Sequence, residues 1–202
     1  MRNNIPHIIL YIAMAWLFCA CAQRKTFSTN YYHENEQALT TIEQSYRALN
    51  AIKPFSVEFT DRSFNYISLE IITDSLKYIY EFEINEPRLQ DTLRRYGMPA
   101  RGITELVGRM RAIRCIWINT LHYYTNGQEQ SLVFLSIRNV AIRLPFTSEK
   151  YYILTFYAQP QYYDSEGRLL AGRTLRRLRR VNDEVFRRIN DKVCYTISSR
   201  FR

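Results

Sequence analysis

The chain has 202 residues, of which 47% are hydrophobic and 14% aromatic, and its formal net charge is +9. This composition excludes a disordered tether and is typical of a globular protein. The length favours one domain with a sizeable core over two very small ones.

The N-terminus has the pattern of an export signal. Arg2 lies in a short polar start, an unbroken apolar run follows from Ile8 to Phe18, and Cys19-Ala20-Cys21-Ala22 come next. The apolar stretch of 15 residues, Ile8 to Ala22, is shorter than the roughly 17 to 25 residues of a helix that spans a membrane. A basic start, an apolar middle and small residues at the end predict a cleaved secretory signal peptide.

The residues before Cys21 resemble the lipobox of bacterial lipoproteins, in which a small residue precedes a cysteine that is acylated and becomes the new N-terminus. Ala20 and Cys21 fit this pattern, whereas Phe18 stands where the class usually has an aliphatic residue. The resemblance implies a signal peptide over 1–20, lipidation at Cys21 and a tether over 21–33.

The same resemblance predicts where the protein resides. It implies a bacterial cell envelope and a membrane anchor made of lipid, and the absence of an acidic residue directly after Cys21 favours the outer membrane, facing the periplasm. Two alternatives stay open. Cleavage after Ala22 would release a soluble protein that begins at Gln23, and the segment could also remain as an uncleaved anchor.

Hydrophobic periodicity predicts the remaining elements in chain order. Residues Leu76 to Ile84 alternate apolar and polar positions, and Asn126-Gly127 predicts a hairpin between the strands that flank it. The predicted elements are a helix over 35–51, strands over 55–60, 64–72 and 76–84, helices over 85–97 and 103–111, strands over 113–124, 131–142 and 151–163, a helix over 174–191 and a strand over 193–198.

This order, α-βββ-αα-βββ-α-β, predicts an α+β fold. Strands and helices in separate blocks favour antiparallel meander sheets with helices packed on one face. The sequence therefore predicts a single α+β domain over 34–202.

Basic residues are concentrated at the C-terminal end. Residues 23–166 contain 16 Lys and Arg against 16 Asp and Glu, whereas residues 167–202 contain 11 against 3. On the predicted last helix, six arginines would share one face. They are Arg173, Arg176, Arg177, Arg180, Arg187 and Arg188.

Such a face predicts binding of phospholipid headgroups, lipopolysaccharide phosphates or peptidoglycan carboxylates, because the guanidinium group bonds these anions through two N–H groups. The alternative is a solvated helix face without a ligand. Nucleic acid is not expected as a partner, because the signal directs the protein out of the cytoplasm.

Two cysteines remain after Cys21. Cys115 and Cys194 could pair as a disulfide in an oxidising compartment. Both lie among apolar and β-branched residues, so they could equally serve as small buried hydrophobic side chains.

Catalytic and metal-binding motifs are absent from the sequence, and no cofactor is expected. Cys115 and His122 would lie on opposite faces of an uninterrupted strand, which excludes a thiol–imidazole pair. Glu81 and Glu83 share a strand face and could form the acid pair of a glycosidase.

The sequence therefore predicts a non-catalytic envelope lipoprotein with a binding or scaffolding domain. One alternative is an envelope hydrolase that acts on peptidoglycan or glycans. Another is an accessory subunit of an envelope protein complex, with a tyrosine-rich sheet as its docking surface. The 16 tyrosines of the chain, several of them in adjacent pairs such as Tyr123-Tyr124, motivate this last alternative.

Overall fold

A computed structural model of the protein describes residues 5–125, 127–138, 151–173, 176–181 and 184–198. Side chains are described from residue 26 onward, except those of Thr125 and Arg138. The chain divides into two compact units, Met1–Asn35 and Glu36–Arg202. Within the described ranges, no helix is both long enough and apolar enough to cross a membrane.

Helix α1 extends over Ile5–Ile52 and has a non-helical residue at Asn35, where φ is −121° and ψ is 16°. The side-chain amide of Asn35 donates a hydrogen bond to the carbonyl of Tyr31 at 2.9 Å. Residues 21–33, predicted as a tether, are helical. They lack apolar periodicity, but they contain neither glycine nor proline, so nothing in their composition ends a helix.

The second unit contains a large antiparallel sheet, which confirms the α+β class. Helices α2 (Pro87–Arg95) and α3 (Ala100–Ala112) lie between two blocks of strands. The strands are β1 (Phe55–Phe59), β2 (Tyr66–Ile72), β3 (Lys77–Glu83), β4 (Cys115–Thr125), β5 (Gln128–Arg138), β6 (Tyr151–Tyr157), β7 (Arg180–Val181), β8 (Glu184–Val185), β9 (Arg187–Arg188) and β10 (Val193–Ser198).

Eight of these strands form one sheet in the order β3-β2-β1-β4-β5-β6-β10-β9, and β7 pairs with β8 separately. Strands β1 to β3 and strands β4 to β6 are two successive meanders. The two meanders are joined where Val57 pairs with Ile118 and Glu58 pairs with Trp117. The predicted hairpin is present as the β4–β5 pair, with Gly127 at φ 74°. Residues 139–142, predicted to extend β5, lie outside the described residues.

One face of the sheet, here called the core face, contains Val57 and Leu69 of the first meander and Leu135 of the second, all fully buried. Tyr46 of α1 packs against this face. Its hydroxyl donates to the carbonyl of Phe55 at 2.6 Å, and the two rings are 5.1 Å apart. Burial raises the pKa of the Tyr46 phenol, which therefore stays a neutral donor.

Arg47, the next residue of α1, connects this helix to the second meander. Its guanidinium donates to the hydroxyl of Ser131 at 2.9 Å and to the carbonyl of Phe156 at 3.0 Å, and it forms an ion pair with Glu43. A planar group with several N–H donors can satisfy all three acceptors at once.

The predicted helix over 174–191 is wrong. The described residues of that stretch include the short strands β7, β8 and β9 and are otherwise bridges, bends and irregular chain. All regular elements described after β6 are therefore strands. The described part of the chain contains three helices. The physical reason lies in how this stretch packs.

Candidate anion-binding surface

Residues 158–192, here called the C-terminal segment, connect β6 to β10. Leu169 and Phe186 of this segment are completely buried. They pack on the second face of the sheet, opposite the core face, in a cluster whose strand residues are Leu132, Phe134, Ile153, Tyr157 and Cys194. The rings of Phe134 and Phe186 are 6.5 Å apart. The apolar side chains of the segment therefore complete a small second core.

Backbone hydrogen bonds arrange the segment as a set of short antiparallel pairings. The amide of Leu169 donates to the carbonyl of Phe186 at 2.9 Å, and the carbonyl of Leu169 accepts from the amide of Arg179 at 2.9 Å. On the other side, the amide of Leu170 donates to the carbonyl of Tyr162 at 2.8 Å. Leu169 and Leu170 thus lie in the middle of this arrangement.

A tight turn at Asp164 starts these pairings. Its carboxylate accepts from the amides of Glu166 at 3.0 Å and Arg168 at 2.7 Å, and from Nε of Arg168 at 2.7 Å. Gly167 has φ 72°, a conformation that favours glycine. The amide of Arg168, and next its guanidinium, lower the pKa of the Asp164 carboxyl.

The six arginines predicted to share a helix face lie instead on loops and short strands. Arg187 and Arg188 form β9 and pair with β10. Arg188 is exposed and forms an ion pair with Asp191 at 2.6 Å, while Arg187 is half-buried. The other four are exposed and lie between Leu170 and β8: Arg173, Arg176, Arg177 and Arg180.

These four residues, here called the arginine surface, differ from Arg168 and Arg188 of the same segment. Arg168 is paired with Asp164 and Glu166, and Arg188 with Asp191. Within the part of the chain that the structure describes, no carboxylate lies within ion-pair distance of any member of the arginine surface. These four residues are therefore the candidates for anion binding in this segment.

Arg179, which the sequence analysis did not select, fixes the segment that presents these arginines. Its guanidinium donates to Oε1 of Gln161 at 3.0 Å and to the carbonyl of Ala171 at 3.0 Å. It also lies 5.2 Å from the ring centroid of Tyr123 on β4. In the sequence Arg179 is one of several similar arginines of the predicted helix. Only the antiparallel pairing of the segment, which brings Arg179 next to Gln161 and Ala171, distinguishes it from the others.

Cys194 lies at the centre of the second core. The hydroxyls of Thr155, Tyr157 and Tyr163 are its polar neighbours, and burial raises the pKa of the thiol. Burial also raises the pKa of the Tyr157 and Tyr163 phenols. These groups are neutral near pH 7, and a neutral thiol is a poor nucleophile.

The second cysteine is remote from Cys194. Cys115 pairs with Ile137 on the core face of β4, whereas Cys194 pairs with Thr155 on the second face, and two strands separate β4 from β10. Both are free, buried thiols. The structure therefore has no disulfide between Cys115 and Cys194. The two residues are small buried side chains, which is the alternative that the sequence left open.

Cys115 and His122 do not lie on opposite faces of an uninterrupted strand, contrary to the prediction. A bulge lies between Cys115 and Trp117, so the strand is interrupted and both residues face the same side. The pair is absent for another reason. Cys115 is fully buried, whereas His122 is exposed near the far end of β4, about 23 Å away along a strand of ordinary rise, and contacts Glu129 at 3.1 Å.

The remaining candidates for chemistry are dispersed. Glu81 and Glu83 are both exposed on β3, as the alternation predicted. The exposed tyrosines lie on different elements and are Tyr66, Tyr124 and Tyr162. Across the described ranges, no three His, Cys, Asp or Glu side chains are arranged to hold a metal ion.

Comparison with protein-family models, with curated proteins and with solved structures finds no match for this chain.

Proposed function

We propose that the protein is a non-catalytic bacterial envelope lipoprotein, acylated at Cys21, whose C-terminal segment binds anionic groups of the envelope. The observation that carries this proposal is the arginine surface: Arg173, Arg176, Arg177 and Arg180 are exposed and have no described carboxylate partner. Arginine charges near an anionic bilayer each contribute about 1 kcal/mol to binding.

The proposed ligands are the phosphates of lipid headgroups or of lipopolysaccharide and the carboxylates of peptidoglycan. All are anions that a guanidinium group recognises through paired N–H donors. Loops suit this task, because charged side chains on loops can adapt to a ligand while the buried Leu169 and Phe186 hold the segment on the sheet.

We further propose that the three helices all pack on the core face of the sheet, which leaves the second face to the C-terminal segment. Supporting contacts come from each helix. Tyr46 of α1 packs against Phe55, and the Tyr96 hydroxyl at the end of α2 is 2.6 Å from that of Tyr80. At Gly102 of α3, a Cβ atom would lie 2.8 Å from a Leu49 methyl of α1.

The anchor is tested by intact mass and membrane fractionation of the full chain and of Cys21→Ser in a Gram-negative host. Acylation at Cys21 that is lost in the variant supports the proposal. Two soluble proteins that both begin at Gln23, or two proteins that both keep residues 1–20, would contradict it. Fractionation of inner and outer membranes then tests the expected outer-membrane location.

The arginine surface is tested on Cys21→Ser protein, so that the lipid does not dominate binding. Cosedimentation with vesicles that contain phosphatidylglycerol should fall as salt rises and should be weaker with vesicles of phosphatidylcholine alone. Arg176→Glu/Arg180→Glu should weaken binding about tenfold or more. A matched control, Arg62→Glu/Arg95→Glu, makes the same charge change at two other exposed arginines and should have a much smaller effect.

Equal losses in the two double variants would show that net charge alone drives binding. Full binding by Arg176→Glu/Arg180→Glu would contradict the assignment of the surface. Soluble peptidoglycan fragments and lipopolysaccharide, added as competitors, would identify the anion that binds best.

A further inference from the structure

Strand β3 forms one edge of the large sheet and, among the described strands, pairs only with β2. The hydrogen bonds that flank it show which backbone groups point away from β2. The amide of Ile84 donates to Asn65 at 2.9 Å and the carbonyl of Leu76 accepts from Thr73 at 2.9 Å, so the even-numbered residues face β2. The backbone groups of Lys77, Ile79, Glu81 and Glu83 therefore face outward.

The two ends of this edge differ. At Glu83, the carbonyl accepts from the amide of Glu86 at 2.9 Å and the amide donates to the Glu86 side chain at 3.3 Å. This end is closed to another strand. The carbonyl of Glu81 accepts from the exposed side chain of Arg88, at 3.3 Å. Among the described residues, no group bonds the outward backbone groups of Lys77 and Ile79.

The sequence of the open part of the edge is complementary to the same sequence running in the opposite direction. It reads Lys77-Tyr78-Ile79-Tyr80-Glu81, with Ile79 at the centre, a tyrosine on each side, and opposite charges at the two ends. In an antiparallel pair of two such strands centred on Ile79, Lys77 lies opposite Glu81 twice, and Tyr78 lies opposite Tyr80 twice. The outward backbone groups then form the hydrogen-bonded pairs of the ladder.

We propose that β3 pairs with β3 of a second copy of this chain about a two-fold axis at Ile79, so that the two sheets become continuous. An isologous contact of this kind needs a surface complementary to itself, which the order of charges provides. The Ile79 side chain is 69% exposed in one copy, more than any other large hydrophobic residue described except Tyr124, and meets its equivalent across the axis. Opposite charges directly across a strand pair stabilise it, and like charges destabilise it.

The proximity of the two strands is tested by cross-linking the full chain, purified in detergent. At a hydrogen-bonded antiparallel position, Cα atoms are about 5.5 Å apart, within the range of a disulfide. Ile79→Cys should give a disulfide-linked dimer on mild oxidation. Tyr124→Cys, which places a cysteine at a position 74% exposed on the β4–β5 hairpin, is the matched control and should give little.

The register is tested by charge reversal. Lys77→Glu and Glu81→Lys each place like charges opposite one another and should each weaken dimerisation about tenfold or more in sedimentation experiments. Mixed together, the two variants have opposite charges at every pair and should form a heterodimer with wild-type affinity. Because each variant forms this heterodimer, the same experiment shows that both are folded.

Three outcomes would overturn the proposal. The first is a chain that is monomeric at all concentrations and whose Ile79→Cys and Tyr124→Cys variants cross-link equally. The second is a dimer that neither charge reversal weakens. The third is a pair of charge-reversal variants that do not associate on mixing. Strand addition by a different protein would give the first of these outcomes, with the purified chain monomeric. None depends on acylation or on the arginine surface, so this test and that of the proposed function can fail separately.

Discussion

The guanidinium of Arg179 lies over the ring of Tyr123, with 5.2 Å between Cζ and the ring centroid. Tyr123 belongs to β4 and packs edge-on against Tyr157 of β6, at 5.8 Å between ring centroids. Its neighbour Tyr124 points the other way and is 74% exposed. One residue of the C-terminal segment is therefore in contact with the aromatic side chains of the sheet on which the segment lies.

Replacing Arg179 should destabilise the protein more than replacing an exposed arginine beside it. Arg179→Ala removes hydrogen bonds to Gln161 and to the carbonyl of Ala171, and the expected loss in the free energy of unfolding is about 1 to 3 kcal/mol. Urea denaturation measures it. Arg176→Ala, at an exposed position, should change it by less than about 0.5 kcal/mol. Equal effects would contradict the distinct role of Arg179.

The Asp164 turn should stabilise the protein in a pH-dependent way. Hydrogen bonds from the Arg168 amide and guanidinium lower the pKa of this carboxyl below its ordinary 3.8. Because the folded-state pKa is the lower one, the stabilisation is present above the unfolded pKa and is lost as pH falls through the folded one. Asp164→Ala should therefore unfold more easily than wild type at pH 7, and the difference between the two proteins should shrink as the pH falls below 3.8.

Thermal unfolding across this pH range measures the difference between the two proteins. Asp74→Ala, which removes an exposed carboxylate from the turn before β3, is the matched control. A constant difference between Asp164→Ala and wild type at all pH values would assign the effect to the turn backbone and not to the charge.

Removing the Phe186 ring should uncouple the C-terminal segment from the sheet. The ring is completely buried against Phe134, and truncation of a buried phenylalanine to alanine costs about 3 to 5 kcal/mol. Urea denaturation of Phe186→Ala measures this loss, and limited proteolysis should cut first within 158–192. Leu76→Ala, at a position 56% exposed, is the control and should leave both measurements unchanged. First cuts elsewhere would contradict this packing role.

The two buried cysteines should resist alkylation until the protein unfolds. Burial raises the pKa of the Cys115 thiol to about 12 and raises that of Cys194 as well, so thiolate is scarce at pH 8. Iodoacetamide followed by peptide mass mapping should label neither residue in the native protein and both in guanidinium without reductant. A requirement for reductant would reveal a disulfide and contradict the two free thiols.

Local patterns predicted most of the strands. The alternation of β3 and the Asn126-Gly127 step depend on neighbours in sequence, and the corresponding strands and hairpin are present. The closing strand over 193–198 has the predicted bounds, because its apolar residues are bounded by the polar Asn190 to Lys192 turn.

Two features could not be read from local pattern. In 174–191 the spacing of Leu175, Leu178 and Val185 is helical, yet the described part of this stretch forms short strands and irregular chain, and its Phe186 packs on the apolar second face of β5, β6 and β10. The second face is formed by residues distant in sequence, and packing against it overrides the local helical propensity of this stretch. The bulge between Cys115 and Trp117 likewise could not be predicted from the local pattern. It places the Cys115 side chain on the face opposite to the one expected for a regular strand.

For the candidate site, the sequence located the excess of arginine but not its geometry. Arg173, Arg176, Arg177 and Arg180 are exposed as predicted, although on loops and a short strand. Arg187 and Arg188 were predicted to join them and instead form β9. Whether the surface binds anions stays a prediction.

The narrow junction between the two meanders has a consequence for how the chain folds. Strands β1 to β3, and the β4–β5 pair, are joined by short connections, whereas the contact of Val57 and Glu58 with Ile118 and Trp117 closes a loop of about 60 residues. Each half can therefore assemble early from local hairpins, and we expect the junction to close last and to open first in hydrogen exchange. Trp117 lies at that junction, half-buried, so its fluorescence reports the final step of assembly.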